Sequence, residues 1–268
     1  MPRLPKHHRP GPAEYAFTVA TVALVGYAMG VARPTTLLYL SGALLLASLA
    51  TLLPQVRPFR GVATALLGLC LGLYLAGLTT PEVLPAAVAS ARPEIANAAF
   101  KAVWVMTSVL VALIAGWNLR DLGAAWGRIS PAWWGQGMAV AAAVLIYYRY
   151  LYRPPGPLVT NLPSYWPYAV GICVFFGISN GLAEEYLFRR LAQVHLVRYL
   201  GPTWGLLAQA LLYGLIHVGP ASRPNGPAGA LVMAGLGWFL GKGTYSTRGL
   251  ALAVIVHAVI DTFIFWWS

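Results

Sequence analysis

The stretch Trp166–Phe188, WPYAVGICVFFGISNGLAEEYLF, decides the fold. About 20 apolar residues in helical form cross roughly 30 Å of hydrocarbon, so this run predicts a membrane helix. Near its end stand two adjacent carboxylates, Glu184 and Glu185. An ionisable side chain is expensive in hydrocarbon, so such residues face the protein interior or a wet cavity and mark a functional site. Asp261 lies in a second apolar run, which places three of the seven acidic residues of the chain in this setting.

Eight further runs read the same way: Tyr15–Ala32, Thr36–Leu53, Gly61–Leu78, Ala98–Trp117, Ala132–Tyr148, Thr203–Val218, Pro227–Leu240 and Leu250–Trp267. Breakers separate them at Arg33-Pro34, Pro54, Pro81, Ser130-Pro131, Pro154-Pro155, Gly201-Pro202, Gly219-Pro220 and Gly249. Pro227–Leu240 is short and glycine-rich, which reads as a partial or re-entrant span. The expected fold is therefore all-α, a polytopic transmembrane helical bundle of about eight to nine spans. Residues 1–14 form a cytoplasmic N-terminal tail, residues 15–150 a set of transmembrane helices without a motif, and residues 166–268 the part that carries the polar signature.

Composition agrees. The 268 residues are 59% hydrophobic and 9% charged, which excludes an ordinary soluble domain. The formal net charge of +11 does not indicate nucleic-acid binding, because the cations stand singly or in pairs between apolar runs. The partners that composition implies are membrane lipids. Cys70 and Cys173 both fall within apolar runs and form no CxxC or zinc-ligand pattern. The basic tail ahead of Tyr15–Ala32 resembles the start of a signal peptide, but the run is long for one and is read as a retained first helix.

Of the 18 Lys and Arg residues, twelve fall in loops on the N-terminal side, among them Arg57, Arg60, Arg128, Arg189, Arg190 and Arg198. Six fall opposite: Arg33, Arg92, Lys101, Arg149, Arg153 and Arg223. The positive-inside rule then puts the N-terminus in the cytoplasm. Together with the alanine, glycine and arginine bias this suggests a multi-pass protein of a bacterial plasma (inner) membrane. Small-residue pairs Gly68/Gly72, Gly177/Gly181 and Gly237/Gly241 suit close helix packing.

Helical spacing puts Glu185 and Arg189 one turn apart on one face, an acid-to-base pair that neutralises itself. Glu184 is rotated by about 100° and shares its face with Asn180 and Phe188, so it is left available. Two adjacent carboxylates in low dielectric repel, which suits one of them to general base work. Gln209, Tyr213 and His217 form a stripe at four-residue steps, as do His257 and Asp261, where a carboxylate one turn away can fix an imidazole tautomer. Glu184 and His217 each lie roughly 21 Å along their helices from the cytoplasmic side at 1.5 Å per residue, and His257 roughly 10 Å, so tilt can bring the three sites together. The same residues in bland roles would be a structural ion pair, a packed histidine and an interhelical hydrogen bond.

Glu184-Glu185-x-x-x-Arg189, then Tyr213 with His217 four residues later, then His257-x-x-x-Asp261, resembles the three-motif signature of the CPBP family. That family comprises CAAX prenyl endopeptidases and their bacterial relatives, the glutamic-type intramembrane proteases also called Abi proteins. The likeness covers about Trp166 to Trp267. Two positions depart from the usual pattern: Tyr213 stands where Phe is usual, and Asp261 where Asn is common. The resemblance implies a peptide hydrolase in which Glu184 and His217 hold and deprotonate a water. It implies that Arg189 positions Glu185, while His257 and Asp261 orient or stabilise the oxyanion. Glu184, His217 and His257 are the set that zinc would use, but no HExxH or similarly close pair is present, so no cofactor is expected. A silent membrane scaffold or immunity protein and a proton-coupled transporter are the competing expectations. The transporter predicts broken helices in two related halves, which the sequence does not display. Prenylated C-termini, bacteriocin leaders and C-terminal sorting signals are all substrates compatible with the motifs.

Overall fold

The structure is a computed structural model that describes residues 10–31, 33–53, 57–83, 92–118, 122–152, 166–219, 222 and 224–267. Arg3, Lys6, Arg9, Arg120, Arg153, Arg223, Pro54 and the breaker Pro154-Pro155 lie outside the described residues. Helices follow one another as α1 (Pro12–Val31), α2 (Pro34–Ala50), α3 (Arg60–Val83), α4 (Pro93–Ile114), α5 (Pro131–Ile146), α6 (Trp166–Glu185), α7 (Val194–Leu215), α8 (Gly226–Thr247) and α9 (Ala251–Trp267). A π-helical segment, Tyr186–Gln193, joins α6 to α7 without a break, and another, Tyr147–Tyr152, prolongs α5.

The prolines act mostly as helix starts. Pro34, Pro93 and Pro131 stand in the first turn of α2, α4 and α5, where the missing N–H would have had no helical partner. Ser130 adds a side-chain cap, its hydroxyl accepting from the Trp133 amide. The Arg92-Pro93 boundary starts α4 at Pro93 rather than at the expected Ala98, and this sets Lys101, counted among the loop cations although inside the expected run, two turns into the helix. Pro81, expected as a breaker, lies within the last turn of α3, where it removes a single backbone bond. The glycine-rich eighth run is also longer than expected: α8 is 22 residues without interruption.

Gly201 breaks α7, with φ 79° and ψ 170°, a conformation open to glycine alone, and Pro202 begins the second limb. The chain reverses there. Tyr213 and Glu184 are 29 residues apart, yet their side chains meet at 3.3 Å; a straight helix would separate them by roughly 44 Å.

Among the described residues, four helices are long and apolar enough to cross a membrane, Pro12–Val31, Arg57–Thr79, Pro93–Ile114 and the hairpin-containing Trp166–Leu215, and Pro34–Ala50 and Ala251–Trp267 are shorter apolar helices. The outside of the bundle is greasy: Phe175, Ile178 and Leu182 of α6 are exposed, as are Met106, Leu110 and Ile114 of α4 and Leu45, Leu46 and Leu49 of α2. Charged Glu184, Glu185, Arg189 and Lys101 are buried instead. Apolar surface outside and paired charge inside is the arrangement hydrocarbon solvent selects, and the chain is an integral membrane protein.

Glycines set the closest approaches. A β-carbon at Gly177 would strike the Ala258 carbonyl and the Thr262 hydroxyl, and one at Gly181 would lie 3.1 Å from the Ala258 amide, so α6 and α9 meet backbone to backbone. Gly68 and Gly72 receive Ser108 and Trp104 of α4. Gly237 receives the Tyr213 ring and Gly241 the amides of Gln209 and Gln193. All three expected small-residue pairs thus serve helix contacts, and they draw α4, α6, α7, α8 and α9 around one polar centre.

Candidate active site

The centre lies where α6 ends and its π-helical extension begins. The wider π turn keeps Leu187, Phe188, Arg189, Leu191, Ala192 and Gln193 all buried, so the segment is enclosed on nearly every side. Such turns inside α-helices recur at functional sites. Glu185 and Arg189 pair as their spacing requires, with Nε to Oε2 at 2.9 Å and Nη2 donating to Oε1 at 3.3 Å, both side chains fully buried. Tyr213 places its ring under the guanidinium, 4.9 Å from centroid to Cζ. The Gln209 amide, with its oxygen turned inward, accepts from Arg189 Nη1.

Glu184 does not share that arginine, as its rotation on the helix predicts. It is nonetheless partnered. Lys101 of α4 reaches its Oε1 at 2.5 Å, and Asn180, one turn back on α6, donates to the same oxygen at 3.3 Å. The other oxygen, Oε2, accepts from the Tyr213 hydroxyl at 3.3 Å and lies 3.8 Å from His257 Nε2.

His257, on α9, is the hub. Its Nδ1 is 2.8 Å from Glu185 Oε1 and its Nε2 is 3.3 Å from Asp261 Oδ2. Asn180 donates to that same Asp261 oxygen at 2.6 Å. Carboxylates only accept, so a ring with both nitrogens against carboxylates suits the doubly protonated cation. With that proton, the three carboxylates are balanced by Lys101, Arg189 and His257. Balance matters because a buried ion whose partner is removed costs about 3–5 kcal/mol.

His217 differs. It follows the last turn of α7, and its Nδ1 is 2.8 Å from the Tyr213 carbonyl, an acceptor, so Nδ1 carries the hydrogen and Nε2 keeps a lone pair. Its ring lies 5.0 Å from that of Tyr213, and its charged neighbours are Glu184, His257 and Lys101. One histidine is thus set as a cation and the other as a base.

All six residues singled out in the sequence therefore meet in one cluster. Sequence reading missed Lys101, counted with the loop cations near the expected start of its helix, and the hydroxyl of Tyr213 as a donor to Glu184. It also left Asn180 as a mere face-sharer, although it bridges Glu184 and Asp261. The signal for Lys101 was its spacing: Glu94, Asn97, Lys101, Trp104 and Ser108 recur every three or four residues along α4. Among the described residues, no three His, Cys, Asp or Glu side chains are grouped as a metal-ligand set.

No curated protein and no solved structure matches the chain. Residues 166–263 match the family described as type II CAAX prenyl endopeptidase Rce1-like, which is consistent with the CPBP likeness of the three motifs. The match spans α6 to α9 and includes each of the six residues. Over residues 166–263 the chain is thus similar to the Rce1-like type II CAAX prenyl endopeptidases, a family of membrane proteases.

Proposed function

We propose that this protein is an intramembrane endopeptidase that hydrolyses a peptide bond in a membrane-associated protein or peptide, using a water activated by Glu184 and His217. The observation that carries the reading is the unequal surroundings of the two Glu184 oxygens. Oε1 is committed to Lys101 and Asn180, whereas Oε2 has only a 3.3 Å hydroxyl and a more distant ring. A water between Oε2 and His217 Nε2 has two acceptors for its hydrogens, the requirement for general base activation. Its proton passes to this pair as its oxygen attacks the peptide carbonyl carbon. The C–N bond then breaks, and the same pair returns the proton to the leaving amine.

Charge that develops on the carbonyl oxygen falls near the cationic His257, held by Glu185 on one side and Asp261 on the other. Arg189 acts through Glu185 and fixes that ring. Preorganised charge of this kind is the commonest large contribution to such catalysis. The reading employs no metal and places the protein in a bacterial plasma membrane with its N-terminus in the cytoplasm.

Comparison of the membrane proteome of source cells carrying the wild-type chain with cells carrying Glu184→Ala tests the proposal and identifies the substrate. The expected result is one or more membrane-associated proteins that stay full-length only in the variant. Identical processing in both strains would favour the scaffold reading.

A further inference from the structure

The site described above lies within residues 166–263, but its nearest cation does not. Lys101 enters from α4, 8% exposed, and its ammonium also lies 4.9 Å from the Trp104 ring. Trp104 is itself fixed, its indole N–H donating to the Leu69 carbonyl at 2.9 Å and its ring standing edge-on to Phe188 at 6.0 Å. One turn before Lys101, Asn97 donates to Asn180 Oδ1 at 3.4 Å. Asn180 then spends its amide nitrogen on Glu184 and Asp261. Helix α4 therefore grips the site twice, directly at Glu184 Oε1 and through Asn180.

A lysine has three N–H donors and no acceptor, so it can hold a carboxylate oxygen but cannot exchange roles with it. A lysine buried against an aromatic ring and a packed helix is restricted to few rotamers, and the oxygen it grips inherits that restriction. We infer that Lys101 is a positioning residue for the reaction: by occupying Glu184 Oε1 it dedicates Oε2 to the water, and it makes α4 part of the catalytic unit. This rests on the proposed reading of Glu184 as the base. Lys101 acts through Glu184 and touches no reacting atom.

The test is steady-state cleavage of a membrane-proximal peptide by the full chain in detergent or vesicles, with wild type, Lys101→Met, Lys101→Arg and Glu184→Ala side by side. Misplacement of a catalytic group lowers turnover more than binding, so Lys101→Met should lose roughly 10- to 100-fold in kcat with KM held within about twofold. Lys101→Arg, which keeps a cation, should recover a substantial part of kcat. A merely structural lysine would not divide kcat from KM in this way. Should Lys101→Met fail to fold, Lys101→Gln, a shorter side chain with no charge to hold Oε1, carries the same kcat comparison. A folded Met or Gln variant with wild-type kcat, beside an inactive Glu184→Ala, overturns the role of Lys101 alone. An Arg variant no better than Met also overturns it. Equal cleavage by wild type and Glu184→Ala removes the reading of the site and the role of Lys101 with it.

Discussion

Tyr213 donates its hydroxyl to Glu184 Oε2 at 3.3 Å and stands 3.5 Å from His257 Nε2, while its ring lies under Arg189. The ring and the hydroxyl therefore serve different purposes. The ring fills the space between Phe188, Arg189 and Gly237, and the hydroxyl touches the oxygen assigned to catalysis. A hydrogen bond to a charged group contributes about 1.5–3 kcal/mol. Tyr213→Phe should fold as wild type and lower kcat by about tenfold, because the ring stays and the donor goes. Unchanged kcat in that variant would show that Oε2 does not depend on the hydroxyl.

Removal of Arg189 leaves Glu185 buried without its cation. Arg189→Met should cost about 3–5 kcal/mol of stability, measured as a fall in the thermal midpoint in detergent. Glu185→Gln/Arg189→Met, which removes both charges, should recover part of that loss. A double variant as unstable as the single one would indicate that packing, not charge, fixes the segment.

Gly177 admits α9 to the backbone of α6. Gly177→Ala should destabilise the protein by about 1–3 kcal/mol, since the added carbon meets the Ala258 carbonyl and the Thr262 hydroxyl. Gly171→Ala, on the same helix but with nothing within 4 Å, should leave the midpoint unchanged or raise it. Equal effects at both positions would contradict the close approach at Gly177.

Metal dependence separates the two chemistries that Glu184, His217 and His257 can support. Prolonged chelation followed by metal analysis should leave turnover intact. Loss of turnover that zinc restores would move the water from Oε2 to a metal.

Most of the helical layout is legible in the sequence because hydrocarbon demands long apolar runs and because Pro34 and Pro131 mark helix starts. The pairing of Glu185 with Arg189, and of His257 with Asp261, follows from four-residue spacing alone. Lys101 is harder, because a cation near an estimated helix end reads as loop charge until Pro93 is seen to start the helix. Its partnership with Glu184 depends on how α4 packs against α6, which no local pattern specifies. The π-helical turn after Glu185 is equally hidden, since one extra residue in a turn leaves the apolar pattern almost unchanged. The positive-inside assignment of the N-terminus stays an expectation: Lys101 and Arg189, both counted with the loops, are buried in helical segments, one from each side of the count.

The central claim is that Glu184 and His217 activate a water for peptide hydrolysis. Its most direct test is single-turnover cleavage of a fluorogenic membrane-proximal peptide by the purified chain in vesicles, with Glu184→Ala and His217→Ala as comparisons. Loss of a general base lowers the rate by about 10²- to 10⁴-fold, and both variants should show that loss while still folded, His217→Ala with a thermal midpoint near wild type and Glu184→Ala with a lower one because Lys101 loses its partner. Cleavage by Glu184→Ala at the wild-type rate would contradict the account.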